Sequence, residues 1–222
     1  MRPPASPTPG AFDEQYFKTC YRDYSAQNPL RRLRFYAQTV ERHVAPGAPR
    51  RIHDIGCAFG RFLGSLDPSW QIFGTDVSEF AVTQAARENP RGVFKVARAD
   101  AGKVFDEPFG VVTAFDVIEH LPDPDVVARS VIAQLADGGC FVFVVPVYDG
   151  LSGPVIRRLD RDPTHLHKWP RQRWLDWAES HFALIEWKGI LRYLLPGGYY
   201  LHLVSVVFRH HTPAIMVVAR KR

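Results

Sequence analysis

The spacing of hydrophobic residues changes twice along the chain, and each change indicates a different kind of structure. Apolar positions recur every three or four residues through residues 28–44, which predicts a helix there. Asn28 is a good N-cap for this helix, and Pro29 suits its first position. Residues 13–24 are also predicted to be helical.

From residue 51 onward, short apolar runs alternate with amphipathic segments. The predicted elements are strands at 51–55, 70–76, 93–100, 109–116 and 140–147, with helices at 61–66, 78–89 and 123–136. Parallel strands need crossover connections, so this alternation predicts a doubly wound, Rossmann-like α/β fold with a mostly parallel sheet and helices on both faces. The apolar, β-branched run at 140–147 is typical of a strand buried on both faces.

The last third of the chain loses this alternation. Residues 148–169 read as a polar loop that contains glycine and proline, and residues 171–181 as a helix. Two strand-like runs follow, at 183–193 and 214–220, without a conventional helical crossover between them. They are therefore predicted to form an antiparallel pair at the C-terminal edge of the sheet.

Composition places the chain among soluble globular proteins, with 46% hydrophobic and 23% charged residues. Its three cysteines, Cys20, Cys57 and Cys140, are widely spaced and form no CxxC pair. This argues against a disulfide framework or a zinc site and favours a reducing compartment. Residues 1–12 have no apolar segment of the kind found in secretory signals and read as a flexible tail. We therefore expect a cytoplasmic protein.

Neither charge nor hydropathy indicates a nucleic acid or a membrane as a partner. The formal net charge is +5, but the basic residues are scattered and form no nucleic-acid motif. The most apolar stretch, residues 190–208, is interrupted by Arg192, Pro196 and His202. A membrane-spanning helix needs about 20 predominantly apolar residues.

Glycines or acidic residues follow directly after four of the predicted strands. Segment 54–60 carries two glycines and follows the first strand, while Asp76, Asp100 and Asp116 follow the next three. Asp76 lies 20 residues (76 − 56) after Gly56, where a carboxylate can accept hydrogen bonds from both ribose hydroxyls. An isolated glycine pair more often forms a turn, and a lone aspartate more often caps a helix. Their combination at one sheet edge predicts a nucleoside site.

Four segments resemble the consecutive motifs of class I S-adenosylmethionine-dependent methyltransferases. They are DIGCAFGRFL, FGTDVSEFAV, RADAGKVF and FDVIEHLPDP, and the match as a whole runs from about Ile52 to Pro146. The segment DPTHLHKWP, residues 162–170, also resembles a branch of small-molecule methyltransferases related to those that modify quinones and natural products. Phe59 and Arg61 depart from the small residues that are common in the glycine loop.

This resemblance implies a role for each residue of the nucleoside site. Asp54 would orient the amino group of the methionine moiety, Asp76 would hold the ribose, and Asp100 would face the adenine amino group. Phe115 or Asp116 would line the cavity near the sulfonium. The full cofactor-binding set is Asp54, Gly56, Cys57, Gly60, Asp76, Val77, Asp100, Ala101, Phe115 and Asp116.

The resemblance also implies how the chain is organised. Residues 13–222 would form a single methyltransferase domain behind the tail. Within it, residues 13–45 would be a helical lid, 51–147 the cofactor-binding core, and 148–222 the acceptor-side loop, helix and terminal strands. Oligomeric state is left open.

Histidines after the fourth and fifth strands are the candidate general bases. His165 and His120 lie on the ligand side of the sheet and could accept a proton from an acceptor hydroxyl. His120 could equally bond only a loop carbonyl. The two-residue spacing of His165 and His167 is a weak metal signal, because no cysteine or clear carboxylate partner accompanies it, and no metal is predicted.

The preferred function is therefore methyl transfer to a small molecule, with O-methylation of a natural-product, quinone-like or sugar-type hydroxyl as the leading reaction. The sequence leaves open whether oxygen, nitrogen or carbon receives the methyl group. One alternative is a methyltransferase fold that binds a nucleoside as a regulatory or interaction module. A nucleic-acid methyltransferase is disfavoured, because no target-base motif follows the fourth strand. A nicotinamide enzyme is disfavoured too, since Ala58 and Arg61 stand where its GxGxxG loop needs glycines.

Overall fold

A computed structural model of the protein describes residues 28–106, 108–150, 153–160, 162, 164–195 and 199–222. The predicted tail at 1–12 and the predicted helix at 13–24 lie outside these described residues.

Eight strands form one sheet in the order β3-β2-β1-β4-β5-β8-β6-β7. The strands are β1 (Arg51–Ile55), β2 (Gln71–Asp76), β3 (Val93–Val96), β4 (Phe109–Phe115), β5 (Leu135–Pro146), β6 (Ala183–Leu195), β7 (Tyr199–Ser205) and β8 (Ala214–Arg220). Strands β1 to β5 pair in parallel, whereas β8, β6 and β7 continue the sheet in antiparallel fashion. The predicted α/β fold class, with its antiparallel C-terminal edge, is confirmed.

Helices of the described chain lie on both faces of the sheet. They are α1 (Leu30–His43), α2 (Arg61–Gly64), α3 (Glu79–Glu88), α4 (Pro124–Gln134), α5 (Gly153–Leu159) and α6 (Arg171–His181). Within the described residues, no helix is both long enough and apolar enough to cross a membrane.

The two faces of β5 enter two separate parts of the core. Phe141, Phe143 and Val145 belong to one buried cluster, together with apolar side chains of α4 and α6. Val142 and Val144 belong to the other cluster, together with side chains of α1 and α2. This alternation confirms that β5 is buried on both faces, and it explains why its sequence is almost continuously apolar.

Of the two N-cap residues predicted from the sequence, one is confirmed by the structure and one is not. Ser78 caps α3, and its hydroxyl accepts a hydrogen bond from the backbone N–H of Ala81 at 3.3 Å. The predicted N-cap at Asn28 is wrong by one residue, because Pro29 occupies that position of α1 and contributes no side-chain cap.

Two strand boundaries differ from their predicted positions because a strand extends only as far as it pairs with a neighbouring strand. β3 ends at Val96 instead of residue 100, since Val96 pairs with Asp76, where β2 itself ends. β5 begins at Leu135, because this residue pairs with Phe109 ahead of a register shift, so the predicted helix at 123–136 stops at Gln134.

Two elements were missed in the last third. α5 lies within the predicted loop at 148–169, and β7 forms a hairpin with β6. The predicted antiparallel pair of β6 and β8 is confirmed, with Leu184 opposite Ala219. β8 lies between β5 and β6, so β7 is the edge strand.

Candidate active site

A cavity of about 310 Å³ opens beyond the carboxyl ends of β1 and β4. Its walls come from the turns after these two strands, from α1, from β6, and from the segment that follows α5. Ligands of doubly wound sheets bind at this end of the strands. The cavity therefore lies where the sequence predicts a ligand site.

The turn after β1 is shaped by a left-handed backbone conformation at Gly56. Its φ angle is +72°, and a Cβ atom at this position would collide with the side chain of Val117. The backbone N–H groups of Gly56 and Cys57 both donate to the carbonyl of Thr75, at 2.7 and 2.9 Å. Ala58 follows with a φ of 45°, which is unusual for a residue with a side chain. Gly56, Cys57 and Ala58 line the cavity.

Asp54 is a buried carboxyl group on the wall of this cavity. It is only 4% exposed, and the Thr113 hydroxyl donates to its Oδ1 at 2.6 Å. Burial raises the pKa of Asp54 to about 7, while the Thr113 hydrogen bond opposes that shift. A cationic group in the cavity would stabilise the ionised form of Asp54.

Asp76 connects the turns after β1 and β2. Its Oδ2 accepts from the N–H of Ala58, and its Oδ1 from the N–H of Ser78, both at 2.9 Å. Burial raises the pKa of Asp76, although these backbone hydrogen bonds oppose it. Asp76 and the neighbouring Val77 lie outside the cavity of about 310 Å³, beside its β1 turn.

The remaining predicted adenosine-side residues also lie outside that cavity. Asp100 forms a two-point ion pair with Arg98, with both distances at 2.8 Å, and this pairing lowers the pKa of Asp100. Ala101 is exposed, and its N–H donates to the carbonyl of Arg98 at 3.1 Å. Gly60 takes a φ of +68° and lies close to Asn89.

Asp116 follows β4 and joins two arginines from distant parts of the chain. Its Oδ2 accepts from Arg192 of β6 at 2.5 Å and from Arg32 of α1 at 3.2 Å. Burial alone would raise the pKa of Asp116, but the two guanidinium groups, Arg192 foremost, hold it below its usual range. Asp116 has a φ of 59°, so its backbone is strained at a cavity-lining position.

Aromatic rings form the wall next to Asp116. Phe115 stacks on Tyr36 of α1, with ring centroids 4.3 Å apart, and meets Phe62 edge-on at 5.0 Å. All three side chains line the cavity. The predicted cavity residues Phe115 and Asp116 are therefore brought together with an aromatic residue of the N-terminal helix.

The candidate bases His120 and His165 lie side by side on the cavity wall, with ring centroids 4.7 Å apart. His120 Nδ1 lies 3.1 Å from the carbonyl oxygen of Thr164, and His165 Nδ1 lies 3.0 Å from Asp160 Oδ2. Burial, followed by the neighbouring His165, lowers the pKa of His120. His120 thus both bonds a loop carbonyl and faces the cavity.

His167 does not share this position. Its Nε2 lies 2.7 Å from the carbonyl oxygen of Leu121, and its ring packs against Trp169. The spacing of His165 and His167 in the sequence therefore does not bring the two rings together at the cavity.

Glu119 is a cavity-lining residue to which the sequence analysis assigned no role. It is fully buried, and neither carboxylate oxygen has a hydrogen-bond partner among the described residues. Burial, with the negative charge of Asp116, holds the pKa of Glu119 well above its ordinary value. The segment EHL contained this residue, but only the fold shows its isolation.

Arg32 and Arg192 were also missed. An arginine within the apolar run of β6 is a signal that the sequence contained, because a charged residue in a buried strand needs a partner. Arg32 gave no such signal, since α1 carries several arginines. Only the fold brings Arg32 to Asp116.

The residues present fit a ligand that has a cationic amino acid end and an apolar body. Asp54 offers a buried carboxyl to an ammonium group, and the Gly56 backbone beside it lines the cavity. Tyr36, Phe62 and Phe115 offer apolar surface beside them. This is the charge and shape pattern of the methionine portion of S-adenosylmethionine.

Comparison with known proteins gives a consistent result. A family model described as "Methyltransferase domain" matches residues 24–203. Trans-aconitate 2-methyltransferase of Pseudomonas aeruginosa is 27% identical over 107 residues, which cover 47% of this chain and 38% of that relative. The match thus spans well under half of the relative's length.

Solved structures share the fold at low sequence identity. A methyltransferase of Thermotoga maritima, described as a possible histamine N-methyltransferase, aligns with a TM-score of 0.65 and 13% identity, covering 94% of this chain and 99% of that one. The N-methyltransferase NodS of Bradyrhizobium japonicum, in complex with S-adenosyl-L-homocysteine, aligns with a TM-score of 0.59 and 17% identity, covering 87% and 88%.

Proposed function

This chain belongs to the methyltransferase domain family, with S-adenosylmethionine as its cofactor, and from that premise we propose that it methylates a hydroxyl group of a small molecule. The observation that carries the proposal is the continuity of the cavity. One continuous cavity joins Asp54 and Gly56, on the cofactor side, to Asp116, His120 and His165. Its volume of about 310 Å³ is in the range of small-molecule sites and supports a small acceptor instead of a nucleic acid.

The cofactor-side residues would act by binding and orientation. Asp54 would pair with the amino group of the methionine moiety, and Asp76 would bond the ribose while it holds the Ala58 turn. When bound, the cofactor supplies a methyl group on a positively charged sulfur: an acceptor oxygen takes the methyl carbon, the electron pair of the broken carbon–sulfur bond stays on sulfur, and the acceptor loses one proton. Tyr36, Phe62 and Phe115 would exclude water from this position.

His120 and His165 would activate the acceptor. Both rings lie on the cavity wall, and each is oriented through its Nδ1 by a fixed partner. A ring nitrogen that faces the acceptor can take the hydroxyl proton and pass it to water. We therefore assign the acceptor end of the cavity to the side that carries these two histidines.

A carboxylate acceptor is a second candidate, and two partly buried arginines of the cavity wall, Arg32 and Arg192, favour it. Arg32 and Arg192 both line the cavity and bond the Asp116 carboxylate, so two positively charged guanidinium groups lie in its wall. An anionic acceptor would complement that charge. The curated relative named above methylates trans-aconitate, a carboxylic acid, according to its name.

Radiolabelled methyl transfer to a defined panel tests these proposals. The panel contains a catechol, a hydroquinone, a sugar, a tricarboxylate, a primary amine and a transfer RNA, each incubated with labelled S-adenosylmethionine. We expect label in a hydroxyl or carboxyl compound, with turnover reduced by about 100-fold or more in His165→Asn. His181→Asn, altered at the C-terminal end of α6 and outside the cavity lining, is the control and keeps its turnover. Label only in the amine or the RNA would overturn the proposal.

A further inference from the structure

Glu119, His120 and His165 form a compact group on the wall of the cavity. Glu119 and His120 lie in the short turn after β4, and His165 lies in the segment that precedes α6. One side-chain ligand atom from each residue can be chosen so that all three atoms lie within 4.8 Å of one another. The fold thus brings the His165 imidazole to the neighbouring Glu119 and His120, although it lies 45 residues (165 − 120) after His120 in the chain.

The carboxylate of Glu119 forms no hydrogen bond with any other described residue. The residue is 0% exposed, and both of its oxygens are without a hydrogen bond among the described residues. A carboxylate in such a position is costly to ionise unless a charge or donor meets it. A bound cation would satisfy both oxygens of Glu119, and the cavity beside this residue has room for one.

Both histidines are held in the way that metal-binding histidines usually are. His165 Nδ1 lies 3.0 Å from the carboxylate of Asp160, and His120 Nδ1 lies 3.1 Å from the carbonyl of Thr164. Asp160 is itself fixed by the Tyr148 hydroxyl at 2.6 Å and by Lys168 at 2.8 Å. A ligating histidine commonly donates its second ring N–H to a carboxylate or a carbonyl, which sets the tautomer and aims the other nitrogen at the metal.

We propose that Glu119, His120 and His165 bind a divalent transition-metal ion. Two imidazole nitrogens and one carboxylate form a donor set that suits Zn²⁺, Mn²⁺ or Fe²⁺ and leaves coordination positions open. All three residues line the cavity, as does Asp116, so an acceptor in the cavity could reach an ion bound there.

The role of the ion rests on the proposed function. An acceptor hydroxyl that binds the metal ion has a lowered pKa, so it loses its proton to water and its oxygen becomes nucleophilic. The metal keeps its oxidation state throughout. In this arrangement the two histidines act as ligands, and the activation assigned to them above passes through the cation.

Metal binding is measured on the full chain without cofactor or acceptor. After chelator treatment and dialysis, Mn²⁺ binding is followed by electron paramagnetic resonance and Zn²⁺ binding by competition with a chromophoric chelator. We expect one ion per chain in the wild type, and binding weakened by about 100-fold in Glu119→Gln and in His165→Asn. His167→Asn is the matched control: it is two residues from a proposed ligand, outside the cluster, and should bind normally.

The outcomes separate the metal site from the proposed function. Equal binding by wild type, Glu119→Gln and His165→Asn overturns the site, as does the absence of one-to-one binding in the wild type. Circular dichroism and S-adenosylhomocysteine titration show which variants keep the fold, and either of the two variants decides the question alone. A protein that binds the ion as expected but transfers no methyl group to the hydroxyl panel keeps the metal site and loses the proposed function.

Discussion

Asp54 shows how a single buried group can connect ligand binding to pH. Its carboxyl is 4% exposed and is supported by one hydrogen bond, from Thr113, and burial raises its pKa to about 7. The ligand-free protein therefore holds this carboxyl protonated over much of the acidic range. An ammonium group bound beside it favours the carboxylate, so binding should release a proton.

We therefore expect S-adenosylhomocysteine to bind more tightly as the pH rises from about 6 to about 8, with little further gain above that. Calorimetry in two buffers that differ in ionisation enthalpy should show release of up to about one proton per ligand near the lower pH. Asp54→Asn should bind more weakly and release no proton in this range. The same proton release in both proteins would show that Asp54 is not the linked group.

The turn at Gly56 yields a second prediction for a single residue. Alanine at this position would suffer an unfavourable φ of +72° and would also meet the Val117 side chain. At Gly47, where φ is +78°, an added Cβ would have no atom within 4 Å. Gly47→Ala should therefore report the backbone cost alone, about 1–2 kcal/mol of unfolding free energy.

In urea unfolding, Gly56→Ala should lower the unfolding free energy by more than Gly47→Ala does. Only Gly56→Ala should weaken S-adenosylhomocysteine binding, because only Gly56 lines the cavity. Equal losses of stability with unchanged binding in both variants would mean that the turn adjusts around the new methyl group. The contact with Val117 would then have no bearing on the ligand.

At the scale of elements, Asp116 joins α1, β4 and β6 across the mouth of the cavity. Arg32 and Arg192 are 11% and 18% exposed, and both bond the same carboxylate oxygen. Removing the carboxylate that two largely buried guanidinium groups share is more costly than losing a surface ion pair.

Asp116→Asn should therefore lower the unfolding free energy by about 3 kcal/mol, measured by urea denaturation. Arg129, which is 63% exposed and 4.0 Å from Asp123, provides the comparison. Arg129→Ala should change stability by less than about 0.5 kcal/mol. Similar small effects in the two variants would show that the three elements are held by packing alone.

Elements with a clear period were predictable, and those set by their neighbours were not. α6 was predicted with its observed bounds, because its apolar positions repeat at helical spacing. The start of β5 was assigned to the preceding helix, since Ala136, Asp137 and Gly138 resemble a helix end and only pairing with β4 makes this segment a strand. β7 was missed because its partner β6 determines its conformation.

The same distinction applies to the site. Asp54, Gly56 and Asp116 could be placed because each lies at the carboxyl end of a strand or directly after it, and the carboxyl ends of parallel strands meet at one edge. The partners of Asp116 could not, because Arg32 lies 84 and Arg192 76 residues away in the chain. The proximity of His120 to His165, and the isolation of Glu119, likewise depend on how the segment before α6 folds back.

At the scale of the whole molecule, one buried histidine should shape the acid stability of the fold. His53 is 1% exposed, with its ring nitrogens 2.7 Å from Gln134 Oε1 and 2.9 Å from Thr75 Oγ1. Burial lowers the pKa of His53 to about 4 from its ordinary value of 6.5. Between these pH values the unfolded chain binds a proton that the folded chain does not, so stability falls as the pH falls.

We expect the stability advantage of the wild type over His53→Gln to shrink by about 3 kcal/mol between neutral pH and about pH 4. Asp54 acts in the opposite direction, because its raised pKa favours the folded state at low pH, but it does so in both proteins and cancels in the difference. Urea denaturation at a series of pH values provides the measurement. A difference that does not vary with pH would mean that His53 takes up its proton as readily in the folded protein as in the unfolded chain.

The turns after β1 and β2 are central to the proposed activity, because they are where S-adenosylmethionine would bind. Calorimetric titration with S-adenosylhomocysteine tests this binding most directly. We expect one site per chain with a Kd on the order of 10 µM or tighter, weakened by about tenfold or more in Asp76→Ala, and no binding of NAD. Absence of S-adenosylhomocysteine binding, or equal binding of NAD, would contradict it.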